Sequence, residues 1–232
     1  MKSLQETKVL AFDADDTLWD CQSFFEEVER EYCRFLAPYG DEETISSEFY
    51  KIEMGNMQDL GYGTKAFVIS LLENALRVSN YRLTARETER IIEMGRALLY
   101  LPATPLPGVV QTLAEIRSRS RYRMVLFTKG DQLEQENKLM RSGLRDFFDD
   151  VVIVSEKVRG EYTALCRRFN VAPDGLVMIG NSFKSDIEPA LAAGCRAVHI
   201  PFHVIWKFEH ADTFEHERLT TLTQFDELAS LF

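Results

Sequence analysis

The feature that most limits how this chain can fold is an alternation of short apolar runs with stretches of helical period. Apolar runs lie at 8–13, 122–127, 151–154, 176–179 and 197–200, and helix-period stretches lie at about 108–119, 131–142, 160–170 and 186–193. Short buried strands separated by helices of this kind indicate βαβ units and a parallel sheet covered on both faces. The expected fold class is therefore α/β, with a Rossmann-like parallel sheet core.

One long interruption breaks the alternation. Between Asp20 and Leu101 the pattern changes to four helix-period stretches, roughly 21–37, 42–57, 64–79 and 84–100, with breakers at Pro38-Tyr39-Gly40, Gly61-Tyr62-Gly63 and Ser79-Asn80. Thr84 followed three residues later by Glu87 is a capping-box pattern opening the last of them. The expected organisation is an α/β core at 1–19 and 102–232, with an α-helical domain, 20–101, inserted after the first strand. The proline-rich stretch at 102–107 forms the return linker.

Composition narrows the function classes. Thirty-seven acidic against 27 basic residues give a net charge of −10, which argues against a nucleic-acid binder. No apolar run approaches the ~18 residues of a membrane span. The polar stretch from Met1 to Lys8 does not read as a secretory signal. Cys21, Cys33, Cys166 and Cys195 form no CxxC pair and no zinc spacing, so buried thiols in a reducing cytoplasm are expected.

In open parallel sheets the functional crevice lies at the carboxyl ends of the strands. There this chain carries Asp13-Ala14-Asp15-Asp16-Thr17, Phe127-Thr128-Lys129-Gly130-Asp131, Ser155-Glu156-Lys157 and Gly180-Asn181-Ser182-Phe183-Lys184-Ser185-Asp186. Asp13 and Asp15, two apart, point the same way in an extended backbone. Two carboxylates that close need a cation or a raised pKa, and Asp186 adds a third. Such oxygen donors suit Mg²⁺. Thr128 offers a hydroxyl, the Lys129-Gly130 amides can face an anion at a helix N-terminus, and Lys157 supplies a positive charge. A metal, a lysine and a hydroxyl–amide cradle suit a phosphoryl group, with a neighbouring carboxylate as nucleophile.

This ordered set, Asp13-x-Asp15-x-Thr17, Thr128, Lys157 and Gly180-Asn181-Ser182-x-x-x-Asp186, resembles the haloacid dehalogenase-like superfamily. The helical insert is similar to the cap of its type-1 branch, and Phe-Asp-Ala-Asp-Asp-Thr-Leu-Trp is similar to its subfamily I phosphatases. The resemblance implies a two-step phosphoryl transfer. Asp13 attacks phosphorus and forms an aspartyl-phosphate. Asp15 protonates the leaving oxygen and then activates water. Thr128 hydrogen-bonds the phosphoryl oxygens, and Lys157 offsets their charge. Mg²⁺ is held by the Asp13 carboxylate, the Asp15 backbone carbonyl and the Asn181/Asp186 loop. Many relatives have Asp where this chain has Asn181, so one formal charge is missing from the implied metal shell.

Other residues read more plainly. Thr17 is expected to shape the turn leaving the strand, and Trp19 to anchor the hinge. His199, His203, His210 and His216 match no metal spacing, and Trp206 is expected to pack the last elements. Lys129 and Lys184 compete with Lys157 for the cationic role. Tyr62 and Lys65, beside a Gly-x-Gly break, are the candidates for substrate discrimination. The expected partner is a small phosphorylated metabolite, with no nucleic acid and no membrane. The oligomeric state is open. A phosphomutase, a 2-haloacid dehalogenase or a non-catalytic phosphate or partner binder are the alternatives. A halide needs no proton on leaving, so Asp15 favours phosphate chemistry.

Overall fold

The computed structural model describes residues 6–232; residues 1–5 of the expected core segment lie outside the described residues. Six strands form one sheet: β1 (Val9–Phe12), β2 (Arg123–Lys129), β3 (Asp150–Val154), β4 (Leu176–Gly180), β5 (Arg196–His199) and β6 (Leu219–Thr221). The order is β3-β2-β1-β4-β5-β6, and every pairing is parallel. The first five strands fall on the five apolar runs. The sixth, Leu-Thr-Thr, has no apolar run to mark it and is an addition to the expected sheet.

The chain divides into two compact units. One comprises the chain up to Asp20 together with Ala103–Phe232, and the other is Cys21–Pro102. In the first unit the central strands are buried on both faces, and alternate residues of each strand serve opposite faces. Leu10, Phe12, Met124, Leu126, Val177 and Ile179 pack with Val109, Leu113 and Ile116 of α5 (Val109–Ser118) and Leu139 of α6 (Gln132–Ser142). Val9, Ala11, Val125, Phe127, Leu176 and Met178 pack instead with Tyr162 and Leu165 of α7 (Arg159–Phe169) and Ala190 of α8 (Glu188–Ala192). Each such apolar side chain, fully buried, contributes roughly 1.5–3 kcal/mol over exposure. β1 is covered on both faces and flanked on both edges, so its four residues have no contact with solvent beyond 2%.

The second unit is a helical bundle of α1 (Gln22–Phe35), α2 (Glu42–Leu60), α3 (Thr64–Val78) and α4 (Ala85–Ala97). It has its own core, including Tyr32, Leu36, Ile45, Phe49, Phe67, Leu71 and Ile91. The capping box forms as the sequence implies: the Thr84 side chain accepts from the Glu87 amide, and Glu87 accepts from the Thr84 amide at 2.8 Å. Among the described residues no helix is long and apolar enough to cross a membrane. The four cysteines are buried, and none is in a disulfide.

Gly95 allows α3 and α4 to pack closely. A Cβ built there would lie 2.2 Å from Val68 Cγ2, and the β-branched Val68 cannot easily rotate away. Alanine is intrinsically the better helix former, by about 1 kcal/mol. Gly95→Ala is nevertheless expected to destabilise the protein by about 1–3 kcal/mol through overpacking, read as a lower denaturation midpoint in urea.

Candidate active site

The strand order places the end of β1 at a special position. β2 and β3 continue the sheet on one side, and β4 to β6 continue it on the other. The crevice outside the strand ends, at the point where the order reverses, is where open α/β sheets bind ligands. Asp13 is the first residue beyond β1, and its amide donates to the Ile179 carbonyl of β4 at 2.9 Å.

Three buried side chains meet there. Lys157, which precedes α7, donates through Nζ to Asp13 Oδ1 in a short bond and to Asp186 Oδ1 at 2.7 Å. Asp13, Lys157 and Asp186 are 7%, 3% and 1% exposed. Asp186 lies in a π-helical turn, Phe183–Ile187, that leads into α8. Its Oδ2 accepts the Ser182 amide at 3.0 Å. Gly180 makes room for that carboxylate: a Cβ there would sit 2.2 Å from Asp186 Oδ2. The other oxygen of Asp13 accepts from Thr17 Oγ1 at 3.0 Å, and Thr17 Oγ1 is also 3.1 Å from Asn181 Oδ1. Thr17 thus goes beyond shaping the turn, because its hydroxyl ties the first and fourth strand ends together.

Here one ammonium faces two buried carboxylates. Burial and the charge of Asp186 push Asp13 up from an ordinary 3.8 to about 7, against the opposing pull of Lys157. Burial alone would lower the Lys157 pKa, but the two carboxylates outweigh it and raise it. Excess negative charge among oxygen donors fits a hard divalent cation. Among the described residues no three His, Cys, Asp or Glu side chains close around a common point. An ion here would therefore draw on two carboxylates, the Asn181 amide oxygen, and backbone or water oxygens.

Asp15 departs from the expectation that it shares the surroundings of Asp13. It has its own cation. Lys138 Nζ donates to both of its oxygens at 2.7 Å, Trp19 Nε1 donates to Oδ1 at 2.7 Å, and Gln135 Nε2 donates to Oδ2 at 2.9 Å. The chain turns sharply just after it: Asp16 has φ 62°, and the Leu18 amide donates to the Ala14 carbonyl at 2.8 Å. Burial raises the Asp15 pKa, but Lys138 and the hydrogen bonds together bring it below the usual carboxylate value. Trp19, expected to be an apolar anchor, is completely buried and also serves as this donor.

At the second strand end Thr128 is 2% exposed. Its hydroxyl oxygen accepts from Gln135 Nε2 at 3.1 Å, and its own hydrogen has only a long 3.4 Å contact with the Lys129 carbonyl. The Lys129-Gly130 cradle needs correction. The Gly130 amide is donated to the Val154 carbonyl at 3.1 Å. Gly130 is needed because φ is +136° and a Cβ would stand 3.1 Å from Gln135 Nε2. The Lys129 ammonium pairs with Glu209 and donates to Ser185 Oγ at 2.8 Å. Lys184 donates to the Phe208 carbonyl at 2.7 Å and lies 3.5 Å from that ring's centroid. Of the three competing lysines, Lys157 is the one on Asp13.

Gln135, Lys138 and Glu209 were not foreseen from sequence. Glu209 also accepts from Ser182 Oγ and from Ser185 Oγ, binding the segment after β5 to the Asp186 turn. His199 is buried, and its Nε2 lies 3.1 Å from the Asn181 carbonyl, which can only accept, so Nε2 carries the hydrogen. His203, His210 and His216 are exposed, and Trp206 packs on Phe208 with ring centroids 5.2 Å apart. Tyr62 and Lys65 belong to the helical unit: Tyr62 precedes α3, and Lys65 is in its first turn.

A model of the haloacid dehalogenase-like hydrolases matches residues 7–194. This chain belongs to that family. The glyceraldehyde 3-phosphate phosphatase of Methanothermobacter thermautotrophicus is 29% identical over 201 residues, covering 82% of this chain and 84% of that protein. The phosphorylated carbohydrates phosphatase of Thermotoga maritima is 24% identical over 201 residues, covering 84% and 86%. A solved haloacid dehalogenase-like hydrolase from Xanthomonas campestris is 32% identical with a TM-score of 0.87, covering 97% of this chain and 90% of that one. The L-2-haloacid dehalogenase of Xanthobacter autotrophicus, 16% identical with a TM-score of 0.63 and covering 97% and 98%, shares the fold.

The raised Asp13 carboxyl has a consequence for stability. Its contribution is fully present below 3.8, the unfolded value, and is lost as pH rises through about 7. In metal-free protein at pH 8, Asp13→Asn is expected to raise Tm, by about 2–4 °C for each kcal/mol of relieved repulsion at this size. The difference should close towards pH 4 in thermal melts followed by circular dichroism.

Proposed function

We propose that this hydrolase is a Mg²⁺-dependent phosphatase that cleaves a small phosphomonoester, a phosphorylated carbohydrate, through an aspartyl-phosphate. The single observation that carries the reading is the Asp13 carboxylate at the sheet's switch point, held by Lys157 beside Asp186 and Asn181. A carboxylate there is a nucleophile with a cation already in place for the incoming phosphoryl charge. The activities of the two phosphatase relatives support the substrate class.

In the first step an Asp13 oxygen forms a bond to phosphorus, and the bond to the substrate's alkoxide oxygen breaks. Asp15 gives that oxygen its proton. In the second step water attacks the phosphoryl group as Asp15 takes up the water's proton. Inorganic phosphate leaves and Asp13 is regenerated. Asp15, paired with Lys138, rests in the ionised form that the second step needs; a phosphoryl dianion arriving beside it raises its proton affinity for the first. The Thr128 hydroxyl donates to a phosphoryl oxygen. Asp13, Asn181, Asp186 and the Asp15 backbone carbonyl would hold Mg²⁺, which supplies charge neutralisation on the transferring phosphoryl group.

Tyr62 and Lys65 are proposed to select the substrate from the helical unit. Four buried cysteines outside any disulfide accord with a reducing cytoplasm. Asp15, half-buried among its donors, also favours phosphate over halide chemistry.

With Mg²⁺ and a panel of phosphorylated metabolites that includes triose phosphates, the protein is expected to release inorganic phosphate. Asp13→Asn should lower kcat by at least about 10³-fold, the scale on which loss of a covalent nucleophile acts. Chelation by EDTA should abolish turnover, and Mg²⁺ should restore it. Release of no phosphate from any member of the panel would refute the assignment.

A further inference from the structure

The side of α6 that meets Asp15 has an inverted pattern. Leu133 and Met140 are 62% and 66% exposed, whereas Glu134, Gln135 and Lys138 are 5% exposed or less. Burying Lys138 carries a desolvation cost that an apolar residue of the same volume would avoid. Folding alone therefore gives no reason for a lysine at this place. What it achieves is local. Lys138 grips both Asp15 oxygens, Trp19 and Gln135 add one bond each, and Asp15 is left with four donated hydrogen bonds. A carboxylate held at both oxygens cannot turn about its χ2 bond. Yet its side chain stays 27% exposed, against 3% for Lys138, so its open edge remains accessible.

Gln135 does a second thing. Its two amide hydrogens are divided among three acceptors, since Nε2 also lies 3.1 Å from Thr128 Oγ1 and 2.7 Å from the Lys129 carbonyl. An amide nitrogen cannot accept a hydrogen bond, so the Thr128 hydroxyl must direct its own hydrogen elsewhere. Its nearest acceptor is the Lys129 carbonyl at 3.4 Å, which binds it weakly. That hydrogen is thereby kept for an incoming oxygen. The Gln135 Oε1 atom is buried without a hydrogen-bond partner among the described residues, so the amide's orientation is set by these acceptors and not by its own carbonyl.

We propose that Lys138 and Gln135, one helical turn apart on α6, are positioning residues: together they fix the Asp15 carboxylate for proton transfer and turn the Thr128 hydroxyl into a donor. The inference rests on the phosphatase reading, and it predicts a dependence on the leaving group that the reading alone does not. An alkyl phosphate needs a proton on its leaving oxygen. A 4-nitrophenyl phosphate releases a phenolate that needs none.

The test is single-turnover formation of the phosphoryl-enzyme from glycerol phosphate and from 4-nitrophenyl phosphate, with crystal structures of the variants. Lys138→Met is expected to slow the alkyl ester by about 10²-fold and the aryl ester by less than about threefold, the first figure being the low end for general acid–base catalysis. Lys138→Arg, which can still bind a carboxylate through two bonds, should recover most of the loss. Gln135→Leu should in addition raise KM for both esters, because Thr128 loses its orienting donor. In the Lys138→Met crystal the Asp15 carboxylate should have left Trp19 and Gln135. Equal losses on the two esters, or an unmoved Asp15 carboxylate in a folded Lys138→Met protein, would overturn the inference. A wild-type protein that forms no phosphoryl-enzyme from either ester would overturn the phosphatase reading instead.

Discussion

The rest of the site depends on one ammonium standing between two buried carboxylates. Lys157 satisfies an oxygen of Asp13 and an oxygen of Asp186, and these come from the ends of different strands. Charges so far from water are tolerated only when paired and hydrogen-bonded, and removing the ammonium, which would leave two carboxylates uncompensated, typically costs about 3–5 kcal/mol. The fold supplies the remaining bonds locally: the Ser182 amide to Asp186, and Thr17 to Asp13. The Tyr162 hydroxyl supports the same turn from beneath, donating to the Ser185 carbonyl at 2.8 Å. Even so the cation is outnumbered. The site keeps a surplus of negative charge that burial cannot dissipate, and on the proposed reading this surplus draws a positive ion, whose charge in turn admits a phosphoryl group.

A second ion pair, Asp15 with Lys138, is built differently. It is anchored to a helix and not to strand ends, and it has no shared member with the first. Two carboxylates only two residues apart are thereby given separate environments. One is raised above its ordinary value and the other lowered. Environments that separate two titrating groups are the usual way for one site to hold both a nucleophile and a proton carrier. The separation lies in the partners, Lys157 on Asp13 and Lys138 with Trp19 and Gln135 on Asp15.

The sheet was legible in the sequence because a strand buried on both faces is an unbroken apolar run, and Val9–Phe12 or Leu176–Ile179 can hardly be read otherwise. Asp13, Thr128, Lys157 and Asp186 were legible for a related reason: polar residues in the segments that follow such runs fall at one edge of the sheet. β6 was not, since Leu219–Thr221 is short, half-buried and no more apolar than a loop. Lys138 and Gln135 lie in a polar stretch of the kind that forms the solvated face of an amphipathic helix. Their signal lies in the neighbouring residues: if Leu133 and Met140 are taken as inward-facing, the helix loses its match to Leu139. Glu209 had no local signal at all, because its partners Lys129, Ser182 and Ser185 are brought to it only by the folded chain.

The parallel register has a consequence for how the molecule is assembled. Val9 pairs with Arg123 on one side and Leu176 on the other, and the helical unit intervenes before the first of these partners is reached. Contacts between residues so distant in sequence are slow to form, because the closure entropy comes before any reward. During synthesis the central strand waits, apolar and unpaired, while more than half the chain emerges behind it. A nascent chain that stops short of the fourth strand leaves one edge of that strand bare, an open template for pairing with another molecule.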